Sequence, residues 1–295
     1  MVENKKGDKA FNWVVYIIMG LFLIVMIYPL WYCLVNSLSD PYEVYTGNVL
    51  LIPKKITFEN YIAIFEKDSI LRGFANTILY TSVGTAIGLF ITFSAAYPLS
   101  KSNLFGGKFL MKLYLLPMFI GGGLVPTFIL VKALNLYNTM WALVLPGALG
   151  VWNVIVVRTY MRTSIPKEIE ESAMLDGAND IVLFFRIILP LCKPILAVML
   201  MFHIVGYWNT YFNALIYLND EKKYPIQLVL RSLLIQSSLD DIIGSGGSLS
   251  MMEQTVKAEG IKYACIIVTT IPMLIIYPVF EKYFDKGMVI GSLKG

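Results

Sequence analysis

Charge is scarce in this chain. Asp, Glu, Lys and Arg make up 15% of its 295 residues, against about 25% in an ordinary soluble domain. Histidine is scarcer still: His203 stands alone, so an imidazole-based metal centre or catalytic triad has no second member. The three cysteines, Cys33, Cys192 and Cys265, lie far apart in or beside apolar runs. Their spacing suits neither a disulfide framework nor a zinc site, and they read as small buried hydrophobes. A loop of the form G-x-x-x-x-G-K-[ST] is missing too: Gly107-Lys108 is followed by Phe109, and Ser102 stands where the first glycine belongs. The common enzyme constellations are therefore not expected, nor is a metal, a bound cofactor or an ATPase site of the chain's own.

What the chain has instead is apolar length. Hydrophobic residues make up 57% of it, and the mean hydropathy is +0.67. Six intervals (10–39, 73–100, 113–131, 133–157, 194–219 and 263–280) carry no charged residue, and each has at least 18 residues. About 20 are needed to cross a bilayer as a helix. Lipid leaves no partner for an open backbone, so only helices or a closed barrel can span, and these runs are too long and uniform for barrel strands. The expectation is an all-α membrane protein with six transmembrane helices, near 11–35, 74–98, 110–131, 139–160, 192–218 and 263–281. The first is read as a retained helix, because its apolar stretch exceeds that of a signal peptide and Asn36-Ser-Leu-Ser-Asp40 follows in place of a cleavage site. Residues 1–10 and 282–295 are then terminal segments, 36–73 an outer loop, and 74–281 a five-helix core containing a charged loop, 161–190, and a second outer loop, 219–262.

With six spans both termini share a side, and Lys5, Lys6 and Lys9 place that side in the cytoplasm. The segments so assigned hold 14 of the 24 Lys and Arg, against ten in longer outer loops. The basic residues follow membrane edges rather than one face, so nucleic acid is not an expected partner. Pro117, Pro126, Pro146, Pro272 and Pro278 interrupt the apolar runs, as does Gly121-Gly122-Gly123, and bends are expected at the prolines. Loop 36–73 carries a strand- or turn-like piece at 51–57. Loop 219–262 contains Gly244, Ser245, Gly246, Gly247 and Ser248, and at that length it is a candidate binding element. No acid lies inside the six runs, which disfavours an ion-driven carrier; if solute moves uphill, the energy arrives from another subunit.

One stretch stands out. Five of the 20 acidic residues (Glu168, Glu170, Glu171, Asp176 and Asp180) fall within thirteen positions. Pro166 suits a first helical turn, and the glutamates that follow sit near the positive end of the helix dipole. Gly177 can end that helix at positive φ, and Asn179 is a ready N-cap for a second one running to Pro190. Ser172, Ala173, Gly177 and Ala178 are small, so another surface can approach the backbone closely. The residues describe a charged helix–turn–helix with a close-contact patch.

The spacing also resembles a known family. Glu171-Ser172-Ala173, Gly177 three residues on, and Ile187-x-Leu189-Pro190 after nine more are similar to the EAA loop (E-A-A-x-x-x-G-x9-I-x-L-P) of ABC-importer permease subunits, with Ser172 for the middle alanine. Asp176-Gly177-Ala178 matches the sugar-importer branch. Asn76-Thr-Ile-Leu, Ala95-Ala-Tyr-Pro-Leu-Ser100, Trp208-Asn209 and the terminal Lys286-Gly287-x-x-x-Gly291-x-x-Lys294-Gly295 resemble the MalG-like carbohydrate subunit. Gly123-Leu-Val-Pro126, Asn138-Thr-Met-Trp141-Ala142 and Tyr224-Pro225-Ile-Gln227 resemble its LplC/YtcP-like subgroup. The resemblance implies the type I importer permease fold and alternating access for a carbohydrate, with an oligosaccharide expected. Its partners would be a MalF-like second permease, a cytoplasmic ATPase dimer holding ATP and Mg, and an extracellular or lipoprotein solute-binding protein. It implies ATPase coupling through Glu171, Ser172, Ala173, Asp176, Gly177, Ala178, Leu189 and Pro190, an ATPase-interface tail at Lys286–Gly295, and a binding-protein contact at 244–248. Asn76, Tyr80, Trp141, Asn153, Trp208, Asn209, Tyr211 and Asn213 are candidates for the sugar path, with helix packing as the alternative for each. A same-fold importer of a non-sugar solute is the main alternative, with an ion-driven carrier or a membrane scaffold behind it.

Overall fold

The computed structural model describes residues 6–243 and 249–292, with side chains for Lys9, 11–235 and 255–281. Every regular element among the described residues is helical. Three helices have the length and apolarity of a membrane span: α1 (Lys6–Ser37), α4 (Asp68–Ser100) and α14 (Leu249–Ser292), through their segments Phe11–Ser37, Asp68–Ser100 and Thr255–Glu281. Between α1 and α4 lie the short helices α2 (Pro41–Tyr45) and α3 (Glu59–Glu66). Three bent pairs pass the same test together. They are α5 with α6 (Gly107–Phe119 and Leu124–Ala133, 112°), α7 with α8 (Trp141–Ala148 and Val151–Ser164, 45°), and α10 with α11 (Asp180–Leu191 and Lys193–Trp208, 82°). Helix α9 (Lys167–Leu175) precedes α10, α12 is Phe212–Tyr217, and α13 is Ile226–Ile243.

Three expectations change and one is narrowed. The expected span 192–218 stops at Trp208, where Asn209 closes the helix, and the bent span that includes it begins at Asp180. The helix breaks with large bends fall at 120–123, 149–150 and Cys192, and Pro117 and Pro146 both lie inside helices. Of the two forms expected for 51–57 the turn-like one is found, a bent segment whose backbone ties go to the end of α1. The Asp40 N–H donates to the Lys54 carbonyl (3.1 Å) and the Thr57 N–H to that of Leu38 (3.0 Å). Much of loop 219–262 is helix: α13 fills Ile226–Ile243, and α14 has begun by Leu249. Its Gly244–Ser248 lies outside the described residues.

The chain divides into two compact units, Met1–Asp68 with Leu230–Ile271, and Ser69–Val229 with Pro272–Gly295. In the first, Val35, Val44 and Val49 pack with Tyr263. Buried Asn60 donates through Nδ2 to the carbonyls of Ser37 (3.1 Å) and Ser39 (3.0 Å), closing the end of α1. Its Oδ1 lies against Gly260, where a Cβ would come within 2.1 Å of it. Overpacking a filled site costs about 1–3 kcal/mol. Gly260→Ala is accordingly expected to lower the melting temperature in detergent by about 3–8 °C, read by thermal denaturation.

In the second unit, α4 is the axis. One end packs through Phe93, Ala96 and Tyr97 with Val154, Val157 and Met161 of α8 and Leu183, Phe184 and Ile188 of α10. The other end packs through Tyr80 with Val131, Ala142, Leu143, Tyr217 and Leu228. Between them two glycines receive rings from α11: a Cβ on Gly84 would lie 2.6 Å from Tyr207 Cζ, and one on Gly88 would lie 2.6 Å from His203 Cε1. The Tyr207 hydroxyl then donates to the Val144 carbonyl (2.9 Å).

Candidate functional site: the acidic handle

Helix α9 ends in a Schellman turn. The Gly177 N–H donates to the Met174 carbonyl and the Ala178 N–H to that of Ala173, both at 3.0 Å, with Gly177 at φ +83°. That conformation costs an L-residue about 1–2 kcal/mol and glycine almost nothing. The Asn179 side chain then caps α10 by accepting from the Val182 N–H (2.9 Å). Inside α10, Leu183–Ile188 is a π-helical stretch that carries Leu183, Phe184 and Ile188 into the core.

The inner face of this helix–turn–helix is anchored: Ala173 is buried, and Ala178 and Leu189 pack against the same cluster. The outer face is free. Glu168, Glu171, Ser172, Asp176, Gly177, Asp180 and Pro190 are exposed, with no heavy atom within 4 Å of a Cβ built on Gly177. Apolar side chains share that face, with Leu175 90% exposed and Ile181 70%. A small-residue turn flanked by carboxylates and bare aliphatics has the chemistry of a docking surface for a partner with a basic rim and an apolar floor. A cavity of about 540 Å³ lies beside it, bounded by Tyr97, Lys101, Phe105, Met174, Ile181 and Phe185.

Two residues outside the expected set brace the neighbourhood of the handle rather than its exposed face. Lys101, the first residue after α4, forms a 2.5 Å ion pair with Glu170, with side-chain exposures of 16% and 22%. Its ammonium lies 4.5 Å from the centroid of the Tyr97 ring. Burial works against the Lys101 charge, but the Glu170 carboxylate and the Tyr97 hydroxyl outweigh it and hold its pKa above the ordinary lysine value. The ammonium therefore stays charged at neutral pH and loses its proton only as pH rises through that raised value. From α8, Arg158 Nε donates to the Leu99 carbonyl (2.7 Å). The only cue in the sequence is a lysine immediately after a charge-free run.

Of the expected sugar-path residues, Asn76 and Tyr80 meet at one backbone segment. Asn76 Nδ2 donates to the carbonyls of Lys222 (2.9 Å) and Tyr224 (3.1 Å), and the Tyr80 hydroxyl to that of Lys223 (3.0 Å). Trp208 is buried near Phe74, with ring centroids 6.5 Å apart. It borders an apolar cavity of about 500 Å³ with Thr81, Thr85 and Leu200. Asn153 and Asn213 are half-buried, while Trp141, Asn209 and Tyr211 are exposed. In the tail, the backbone at Lys286, Gly287 and Gly291 is helical, and Lys294 and Gly295 lie outside the described residues.

The profile of the family described as "Binding-protein-dependent transport system inner membrane component" matches residues 1–290. The chain belongs to this family. This inner membrane component is 38% identical over 294 residues to Protein LplC of Bacillus subtilis, covering 100% of the chain and 98% of that protein. It is also 38% identical over 290 residues to the polygalacturonan/rhamnogalacturonan transport system permease protein YtcP of the same organism, covering 98% and 99%. Among solved structures it resembles a chain of a bacterial ABC transporter involved in the import of the acidic polysaccharide alginate. The TM-score is 0.85 at 29% identity, with 95% of this chain and 98% of that one covered. The helices described above thus form the fold of an ABC permease component.

Proposed function

We propose that this component is one of two homologous permease subunits in an ATP-driven importer of a carbohydrate, delivered by an extracellular solute-binding protein. The likeness to the alginate importer chain along nearly its whole length carries the reading, and the name of YtcP points the same way. In this reading the three straight and three bent helices make six spans, with both termini in the cytoplasm. The segment around Glu171–Gly177 is gripped by a cytoplasmic ATPase dimer, which holds the ATP and Mg. Alternating access then moves the sugar past this chain and its partner. The solved importer takes in the acidic polysaccharide alginate and YtcP is named for polygalacturonan, so acidic oligosaccharides are the first substrates to test.

The measurement is ATP hydrolysis by the reconstituted complex with its binding protein. Oligogalacturonates and alginate oligomers are expected to stimulate it several-fold over neutral galacto- and arabino-oligosaccharides. Equal stimulation by neutral oligosaccharides would remove the acidic preference. Stimulation by amino acids or polyamines and by no saccharide would overturn the carbohydrate reading.

A further inference from the structure

The handle and the opposite end of the second unit are joined through a single helix. At one end of α4, Lys101 is paired with Glu170 of α9 at 2.5 Å, and Leu99 is held by Arg158. At the other, Thr77 Oγ1 accepts from the Ile226 N–H (2.8 Å), while Asn76 and Tyr80 hold the carbonyls of residues 222–224. The ties lie about 20 residues apart along this helix, roughly 30 Å of its length, with Pro98 just inside the handle end. A rod pinned at both ends by directional contacts moves as one piece, whereas a helix held only by apolar contacts can slide.

We propose that the Lys101–Glu170 ion pair is the positioning contact that makes α4 follow the handle, so that displacement of α9 reaches the 222–226 segment. This rests on the reading of 167–190 as the ATPase-docking handle. Glu170 faces inward to Lys101, whereas Glu168 and Glu171 are exposed, so the acids of the handle divide between a transmitting one and docking ones. The ion pair is shielded by its surroundings and reinforced by the Tyr97 ring, the setting in which a charge pair holds its geometry. Losing one partner strands a half-buried charge as well as freeing the helix.

The test uses the complete reconstituted complex. Glu170→Gln and Lys101→Met are each expected to retain the co-purified ATPase and most ATP hydrolysis, while sugar transported per ATP falls about tenfold or more. The exchange Lys101→Glu with Glu170→Lys is expected to recover that ratio to within about threefold, as a true pairwise coupling does. Wild-type transport per ATP in both single variants overturns the proposal. So does loss of the ATPase from Glu170→Gln, which would make Glu170 a docking residue, and so does failure of the exchange to restore a ratio lost in both single variants. If Lys101→Met does not accumulate in the membrane, Glu170→Gln and the exchange decide by the same criteria. Gly177→Asp runs alongside: if it keeps ATPase and uptake, the handle reading itself has failed, and the fault lies there rather than in the strut.

Discussion

Gly177→Asp is expected to leave the protein in the membrane at near wild-type amounts while abolishing both ATPase co-purification and sugar uptake. The turn carries φ +83° at this position and has open space around it, so a side chain meets no neighbour in its own chain. The internal cost is the strain of a left-handed residue, about 1–2 kcal/mol, which aspartate tolerates better than most residues. The external cost is larger. On the handle reading, a carboxylate added between Asp176 and Asp180 fills open space that a partner's backbone would need for close approach. It also places a charge at the point of closest approach, where contact strips its water, and a buried charge without a partner is strongly destabilising. A loss of more than about 100-fold in affinity for the ATPase follows. Gly177→Asn separates the two causes, since it has nearly the same size and left-handed tolerance without the charge. It is expected to bind more tightly than Gly177→Asp and more weakly than wild type, in a pull-down titrated with the ATPase subunit. Normal uptake in Gly177→Asp would mean that 167–190 is not the handle.

The second large effect is expected at the helix crossing. Gly84→Val with Gly88→Val should prevent the protein from accumulating in the membrane, and each single alanine variant should lower its thermal stability by about 2–4 kcal/mol. Neither ring can simply retreat. A Cβ on Gly84 would lie 2.6–2.7 Å from three atoms of the Tyr207 ring, whose hydroxyl is committed to the buried Val144 carbonyl. A Cβ on Gly88 would meet the His203 ring at two atoms, and that ring is only 5% exposed. Removing the opposing ring opens the space again, so Gly88→Ala with His203→Ala is expected to be less damaged than the sum of the two single changes. Strict additivity in detergent unfolding would show that the contact is not the source of the cost.

These two sites differ in how far the sequence gives them away. The handle's turn is legible because its chemistry is local: a glycine that can take positive φ, an Asn able to cap the next helix, and small residues between them lie within a few positions. The long apolar helices are legible because absence of charge over 18 or more residues has few other physical explanations. The contact of Gly84 with Tyr207 is not, because no spacing rule links residues on separate helices, and the same holds for Lys101 with Glu170. Asn76 and Tyr80 look like sugar ligands by residue type, yet their polar atoms go to backbone carbonyls nearly 150 positions away. The helix breaks with large bends escape the proline cue for a related reason. Proline marks where a helical hydrogen bond is missing, whereas these breaks fall at 120–123, 149–150 and Cys192, beside glycines or just ahead of Pro194.

The sharpest of those bends sorts the outside of the molecule. Between Phe119 and Leu124 the chain turns by 112° through three glycines whose Cβ positions are all open. Hydrocarbon offers no partner to a peptide group released from a helix, and each one left bare there costs several kcal/mol. Fatty-acyl chains can coat the apolar length of α1, but they make a poor coat for this elbow. Were the elbow to lie at bilayer depth, it would have to be lapped by water or by another polypeptide rather than by lipid.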